Sequence, residues 1–555
     1  MNNSVSVTFL GGLGDIGRNC AAIESQDQIL ILDCGQLFPD EMMPGAHSVL
    51  PDFSYLNTRA EKIVGCIATH AHEDHIGALT YALQIANFPI CGSPFTLGMI
   101  RHRLNEANLM GKTELIPIED GDIVNIGDFQ CEFLPVTHSI PRGLISAIHT
   151  PQGMILHSSD FKLDLNPIDG RHTDLERIIE LSKDPGVRLL LCDSTNAEIP
   201  GSSISESTVG RELKKVFEDN KDKRVITACF SSHIHRVQQI ADIAVNQGRK
   251  IATLGFSMRR NVGLARELGI LSLSESNLID ISEVGTYPPD EICIVSTGSQ
   301  AEPRSSLSLA AKGDGRWLEI GSNDVVILSS RSIPGNEKRI GKMINSLGRR
   351  GAVVISADFQ DIHTSGHGQQ DELTALHDAV NPEWLVPVHG EYRHLTAHKD
   401  LAIRNGMPPN RVLVAVDGDQ VTLDDKGLVL REKVCEGAYI FSQGSITERS
   451  HNIFSERLIL GEEGCVIASI TVDLQNREIL ETPTVVSKGW LNAETARGFE
   501  EEIEELLIQE IEHLLDREKK ISKDLVMQRV RRSTGGFVNE QTKRRPMIIP
   551  IVTLA

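Results

Sequence analysis

Thr69-His70-Ala71-His72-Glu73-Asp74-His75 places three histidines and two carboxylates within six consecutive residues, 70–75. Imidazole and carboxylate are lone-pair donors at neutral pH, and at this density their common use is metal ligation. The run follows the apolar stretch 63–68 (Ile63-Val64-Gly65-Cys66-Ile67-Ala68), whose length and flanks predict a buried strand. The ligands then emerge in a turn at the strand end, with the next helix expected from Ile76-Gly77-Ala78-Leu79. Strand-like alternation points His70 and His72 the same way. Asp74 and His75 turn toward a second point, an arrangement suited to two ions.

Four more residues end apolar runs: Asp33 after Ile29-Leu30-Ile31-Leu32, His138 after 133–137, Asp160 in Leu156-His157-Ser158-Ser159-Asp160, and His389 after Trp384-Leu385-Val386-Pro387-Val388. Polar residues gathered at strand C-termini are how open α/β sheets build a site. Imidazole and carboxylate donors without thiolate suit zinc, with manganese as the alternative. Two such ions about 3.5–4 Å apart acidify a shared water and clamp a reacting ester oxygen, and Asp160 is the candidate bridge. This is hydrolase chemistry.

A second cluster bears on the substrate. Asp193-Ser194-Thr195 follows the apolar run 189–192, and His363-Thr364-Ser365-Gly366-His367 follows the run 353–356. Hydroxyls and a glycine between two histidines can present N–H and O–H groups to a phosphate; the alternative is a helix start capped by Ser365. His367, held by Asp193, is a candidate proton donor to a leaving oxygen. Phe230-Ser231-Ser232-His233-Ile234 and Thr297-Gly298-Ser299-Gln300 have the same strand-to-helix character.

The 555 residues allow two to four domains, and 40% hydrophobic with 24% charged residues is a globular composition. Aromatics at 4% leave few stacking platforms for bases. No apolar run approaches the ~18 residues that span a bilayer, and the N-terminus shows no signal-peptide pattern. The ten cysteines lie singly in apolar runs without a CxxC pair, as expected of a reducing cytoplasm. The net charge of −21 argues against nonspecific coating of nucleic acid or anionic membrane, but a local basic groove remains compatible with it. Along the chain, 1–205 is sheet-rich, 206–360 alternates strand and helix as a parallel sheet requires, histidine-bearing turns return in 361–433, and 434–463 is irregular and expected as a linker. Residues 464–555 form a last unit, with a strand from Cys465 and a helix carrying Phe499, Ile503, Leu506, Leu507 and Leu514 at helical spacing. Its opposite face (Glu501, Glu502, Glu504, Glu505, Glu512) is expected to be solvated.

Taken together, these residues resemble a known family. The HxHxDH run with His138, Asp160 and His389 is similar to the metallo-β-lactamase fold. Asp193-Ser194-Thr195, His363 to His367 and the segment Pro387 to Leu395 resemble its β-CASP nucleic-acid-processing branch. Leu10-Gly11-Gly12-Leu13-Gly14-Asp15, Phe38-Pro39-Asp40-Glu41, Asp160-Phe161-Lys162, Ile333-Pro334-Gly335-Asn336-Glu337 and the tail 542–550 resemble the ribonuclease J family, essentially end to end. The resemblance implies an α/β fold: an αββα metallo-β-lactamase sandwich, an inserted α/β β-CASP domain and a small α+β C-terminal domain that oligomerises the chain as a homodimer or homotetramer. It implies that His70, His72 and His138 hold one ion, that Asp74, His75 and His389 hold the other, and that Asp160 bridges them. Asp33 would orient ligand histidines, and Asp193 with His367 would assist the leaving group. Ser231, Ser232, His233, His363, Thr364, Ser365, Gly366 and His367 would form the pocket for a nucleotide and its 5′-phosphate.

The implied activity is hydrolysis of RNA, both internally and 5′-to-3′ from a 5′-monophosphate, in RNA maturation and decay, alongside other RNA-decay proteins and away from membranes. Alternatives are a β-CASP nuclease acting on DNA or 3′ ends, an ester or thioester hydrolase on the same core, and an inactive scaffold. The scaffold predicts missing ligands, and all seven are present. Three positions depart from the family pattern: Ala71 and Ser159 where glycine is frequent, and His233 where asparagine is usual. A positive φ at Ser159 would cost strain.

Overall fold

The computed structural model describes residues 3–333, 335–435, 440–442, 446–447, 451–491 and 493–555. Pro334 of the 333–337 motif, and 436–439, 443–445 and 448–450 within the expected linker, lie outside them. The chain divides into two compact units, Met1–Phe38 with Ser48–Ser442, and Pro39–His47 with Gln443–Ala555.

The first unit holds three large sheets. The hairpin-connected strands Val5–Gly11, Cys20–Ser25 and Gln28–Leu32, followed by the parallel strands Ile63–Ala68, Ile90–Gly92 and Leu115–Pro117, make most of an eight-stranded sheet. A six-stranded sheet runs Trp384–Val388, Val187–Asp193, Gly153–His157, Gly143–Thr150, Phe129–Val136, Ile123–Ile126. Their facing sides share one core, with Phe9, Ile23, Leu30 and Ile67 from the first sheet and Phe133, Ile148, Leu189 and Val386 from the second. Apolar residues at alternate strand positions reach this interior by the two-residue period of the pleat. This is the expected sandwich.

The third sheet is parallel throughout. Arg224–Ala228 lies between Ile292–Ser296 and Asp324–Leu328, flanked by Lys250–Leu254 and Val353–Ser356. Helices such as Ile234–Asn246 and Glu337–Arg349 cover both faces, which is why these strands are near-continuous apolar runs. Connectivity decides where the site falls. The chain leaves the sandwich after Asp193, builds the third sheet, and returns as Trp384–Val388 parallel to the strand it left, with Asp193 opposite Val388. Gln420–Asp424 then pairs antiparallel with Val5–Gly11. Residues remote in sequence are thereby brought to one sheet edge.

In the second unit, Glu478–Lys488 and Met547–Leu554 flank Cys465–Asp473. Helices Ala493–Arg517 and Lys523–Thr542 cover one face, packing Ile503, Leu507, Leu514, Val526 and Val530 on Val466, Ala468, Ile470 and Val472. The expected solvated glutamate face needs correction at Glu504, whose Oε1 accepts from Val485 N at 2.8 Å, while the neighbouring Glu500 accepts from Ser487 N at 2.6 Å. The edge strand has outward N–H groups that require acceptors, and these carboxylates supply them. Within 434–463 the described residues include a helix, His451–Glu462. Among the described residues no helix is long and apolar enough to cross a membrane.

Candidate metal centre

The strand Ile63–Ala68 delivers Thr69 and His70 to the sheet edge as expected. The helix begins earlier than the sequence indicates, at Glu73 with His72 as its cap residue, so Asp74 and His75 lie in a single helical turn, Glu73–Ile76. Backbone bonds pin this turn: Cys34 N donates to His75 O at 2.7 Å and Asn19 N to Asp74 O at 2.9 Å. Gly35 is required where it stands, because a Cβ there would fall 1.6 Å from Asp74 O.

Two clusters of donor atoms result, each closed within 4.8 Å: His70, His72, His138 and Asp160, and Asp74, His75, His389 and Asp160. In the first, His72 Nδ1 is 3.1 Å from both His70 Nε2 and His138 Nε2. In the second, His389 Nε2 is 3.3 Å from Asp74 Oδ2. One atom, Asp160 Oδ2, serves both, at 3.6 Å and 3.8 Å from His70 and His138, and at 3.2 Å and 3.5 Å from His75 and His389.

The non-ligating ring nitrogens fix the tautomers. Asp33 Oδ2 accepts from His75 Nδ1 at 2.8 Å, and also from Thr69 Oγ1 at 2.9 Å, while Oδ1 accepts from Thr69 N. Having given its proton to Asp33, Thr69 Oγ1 accepts from His70 Nδ1 at 3.0 Å. Gly366 O accepts from His138 Nδ1 at 2.6 Å. Thr195 Oγ1 donates to Asp193 Oδ1 at 2.8 Å and accepts from His389 Nδ1 at 2.7 Å. Four imidazoles thus present a bare Nε2 inward, each oriented by an acceptor behind it, the arrangement that metal-ligating histidines require. Thr195, Gly366 O and Asn19, whose Nδ2 lies 3.1 Å from His75 Nε2, are partners the sequence reading did not assign. No periodicity marks a backbone carbonyl or a lone Asn; only the Asp-Ser-Thr string pointed near Thr195.

The electrostatics agree with a cation site. Burial, then repulsion from His75, pushes His70 well below the usual imidazole range. Burial also lowers His72 to about 4, and burial followed by His72 lowers His138. For His75 and His389 burial acts the same way, but Asp160 and the other carboxylates around them outweigh it and raise both. Burial alone would raise Asp160, yet His389 and His75 hold it well below the carboxylate range. The buried Asp160 has imidazoles as its ion-pair partners, and a carboxylate so buried is costly without a cation.

Three residues of the site stand in the left-handed region: Asp33 (φ 57°), Ser159 (φ 56°) and His389 (φ 54°). Each follows the end of a strand, and such backbone strain gathers at functional sites. Ser159 therefore bears the strain its substitution for glycine implied.

His367 Nδ1 lies 2.8 Å from Asp193 Oδ2, and its ring is 5.0 Å from that of His138 and 5.2 Å from that of His389. Among the described residues its Nε2 has no hydrogen-bond partner. Burial opposes protonation of His367, but Asp193 raises its pKa overall. Ser365 is not a helix cap: the helix Gln370–Val380 starts later, and Ser365 Oγ accepts from Asn196 Nδ2 and His367 N. Thr364 is buried and donates to Ile204 O at 2.8 Å. His363 Nδ1 is buried with no hydrogen-bond partner among the described residues. Ser231 is held by Asn261, and Ser232 is half-buried on the same loop. His233 departs from expectation: instead of facing a pocket it is buried, accepts from Arg236 N, and meets Glu206 at 3.1 Å. Glu206 also binds Arg236, which in turn donates to Ile362 O at 2.7 Å, so this network ties His233 to the residue before the 363–367 loop.

Family models match in four segments: "Metallo-beta-lactamase superfamily" at 13–152, "Ribonuclease J, beta-CASP domain" at 222–347, "Zn-dependent metallo-hydrolase RNA specificity domain" at 352–414, and "Ribonuclease J C-terminal domain" at 452–554. The chain is 39% identical to Ribonuclease J of Mycolicibacterium smegmatis, over 98% of this chain and 96% of that one. It is 36% identical to Ribonuclease J 1 of Streptococcus pyogenes serotype M3, over 99% and 98%. A solved protein of unknown function from Enterococcus faecalis V583 shares the fold over 76% of this chain and all of its own, with TM-score 0.53 and 14% identity. With near-complete coverage at this identity, and with the histidine and aspartate clusters assembled as described, the chain belongs to the ribonuclease J family and carries its zinc-dependent metallo-hydrolase domain.

Proposed function

We propose that this chain hydrolyses RNA phosphodiesters at a two-ion centre, cutting internally and also degrading 5′-monophosphate RNA in the 5′-to-3′ direction. The observation that carries the reading is Asp160 Oδ2, one oxygen facing the imidazoles of both clusters. His70, His72 and His138 hold one ion, Asp74, His75 and His389 the other, and Asp160 both. Five imidazoles, four with their tautomers already set, fit zinc best, with manganese second. Zinc bound there supplies Lewis acidity at the scissile phosphate and makes water a competent nucleophile near neutral pH.

The chain's own residues do the rest. Asp33, Thr69, Thr195 and Gly366 O hold the imidazoles in register. Asp193 holds His367, whose Nε2–H is given to the departing 3′-oxygen. Ser365 Oγ accepts two bonds from the protein and keeps its own proton for a phosphate oxygen, and His363 stands at the start of the same loop. Thr364 and Gly366 shape that loop, and Ser231 and Ser232 stand on the loop after Arg224–Ala228. This reading carries the domain limits 1–205, 206–360, 361–433, 434–463 and 464–555, a cytoplasmic setting, and association with other RNA-decay proteins. It also carries assembly through 464–555, supported by exposed Val486 and Ile549, which the strand register aligns in one row with Ile467.

The test is a product assay on 5′-labelled RNA bearing either monophosphate or triphosphate, with His75→Ala in parallel. Labelled mononucleotide released mainly from the monophosphate form, and lost in His75→Ala, is expected. Internal cuts alone would remove the 5′-end pocket from the reading, and no cleavage with either ion would overturn it.

A further inference from the structure

Beneath the sheet edge that carries Asp193 lies a separate group of donors. Cys192 stands next to last in Val187–Asp193, His377 in the last turn of Gln370–Val380, and His398 within Tyr392–Arg404. One donor atom from each lies within 4.8 Å of the other two. Cys192 and His398 are fully buried, and His377 is half-buried, which leaves a route to solvent. No carboxylate belongs to the group.

The hydrogen bonds fix its protonation. Ser194 Oγ donates to Cys192 O at 3.2 Å, so it accepts from His398 Nδ1 at 2.9 Å. His398 Nε2 is therefore a bare lone pair. It faces His377 Nε2 at 2.9 Å, with the rings parallel at an interplanar angle of 1°. A single proton, on His377, fills the gap. An imidazole whose Nδ1–H is anchored behind it and whose Nε2 meets a second imidazole beside a thiol is built like a metal ligand.

We propose that Cys192, His377 and His398 form a third cation site, for one thiophilic divalent ion of the zinc type, distinct from the two catalytic clusters. Zinc–nitrogen bonds of about 2.0–2.1 Å and a zinc–sulfur bond of about 2.3 Å in tetrahedral geometry need the two Nε2 atoms to part by only a few tenths of an ångström. The fourth ligand is solvent, entering beside His377. On binding, the thiol loses its proton to solvent, His377 moves its N–H from Nε2 to Nδ1, and sulfur and both Nε2 atoms bind the ion, a net gain of one positive charge. Burial keeps both imidazoles in the neutral ligand form, His377 down to about 4. Burial, then Asp193, raises the Cys192 thiol, so the ion must displace a proton and binding tightens as pH rises. Cys192 and Ser194 flank Asp193, the holder of His367, so occupancy stiffens the strand end on which that pair depends.

The test is titration of the full chain, stripped by chelation, with Co²⁺. The catalytic clusters contain no sulfur, so a near-ultraviolet thiolate-to-cobalt charge-transfer band that depends on Cys192 reports this site, whatever becomes of the ribonuclease reading. The band is expected in the wild type and in His75→Ala, is lost in Cys192→Ser, and forms with at least about tenfold weaker affinity in His377→Gln. A wild type without the band, or a band of full amplitude in Cys192→Ser, overturns the proposal. Where Cys192→Ser does not fold, an unchanged affinity in His377→Gln overturns it equally.

Discussion

Thr195 Oγ1 sets the tautomer of His389, from which it is 194 residues removed in sequence and 2.7 Å in space. Its proton goes to Asp193, so it can only accept from His389 Nδ1, and Nε2 is left bare. Thr195→Val removes that acceptor while preserving shape. Metal affinity should fall by about 10–100-fold, measured by competition with a chromophoric chelator. Unchanged affinity would strip Thr195 of this role.

Gly366 abuts His138: a Cβ at 366 would lie 2.6 Å from His138 Cε1. Gly366→Ala must push the loop or the imidazole away, a clash on the order of 1–3 kcal/mol. Activity should drop at least about tenfold, which is 1.4 kcal/mol of barrier, with circular dichroism unchanged. A fully active variant would show that His138 tolerates the shift.

The pH dependence follows from His367. Although burial opposes it, Asp193 raises its pKa above 6.5, so His367 is the proton donor below that raised value and the rate falls as pH rises through it. Asp193→Asn removes the carboxylate charge and lowers that pKa, so the alkaline limb should move to lower pH in single-turnover rates. An alkaline limb that stays in place would assign it to another group.

Ser159 bears a φ of 56°. Relief of about 1–2 kcal/mol of left-handed strain, set against about 0.5–1 kcal/mol of added glycine entropy, gives Ser159→Gly a net gain of up to about 1.5 kcal/mol. Urea denaturation of the two proteins measures it directly, and a loss of stability would mean that the Ser159 Oγ contact with His70, at 3.4 Å, outweighs the strain.

Deletion of 464–555 removes the sheet that exposes Val486, Ile549 and Ile551. Light scattering should then report a smaller assembly, and activity should fall while metal content stays. An unchanged mass would refute the interface.

What the sequence made legible is whatever donates through a side chain at a strand end. His70, His72, Asp74, His75, His138, Asp160 and His389 stood out as candidates by type and position, and the short apolar runs marked a sheet-rich first part, while the sandwich itself came only through the family resemblance. The acceptors behind them did not. Gly366 contributes a carbonyl, which every residue has, and Asn19 acts from a glycine-rich turn whose course depends on tertiary packing. The resemblance makes His233 a pocket residue, yet it is drawn inward by a hydrogen bond to Glu206, 27 residues away, that no local pattern encodes. The helix starts at Glu73 rather than Ile76 because tertiary bonds from Cys34 and Asn19, not propensity, fix that turn.

The return of Trp384–Val388 to the side of Val187–Asp193 also orders events in time. His389 follows Asp193 by 196 residues, which at about 5–20 residues per second is on the order of 10–40 s of synthesis. On the proposed assignment, until that strand is made one half of the centre has two protein ligands besides Asp160 instead of three. On the proposed ligand assignment, a growing chain, however well folded upstream, is therefore an unarmed nuclease until residue 389 of the 555 has been made.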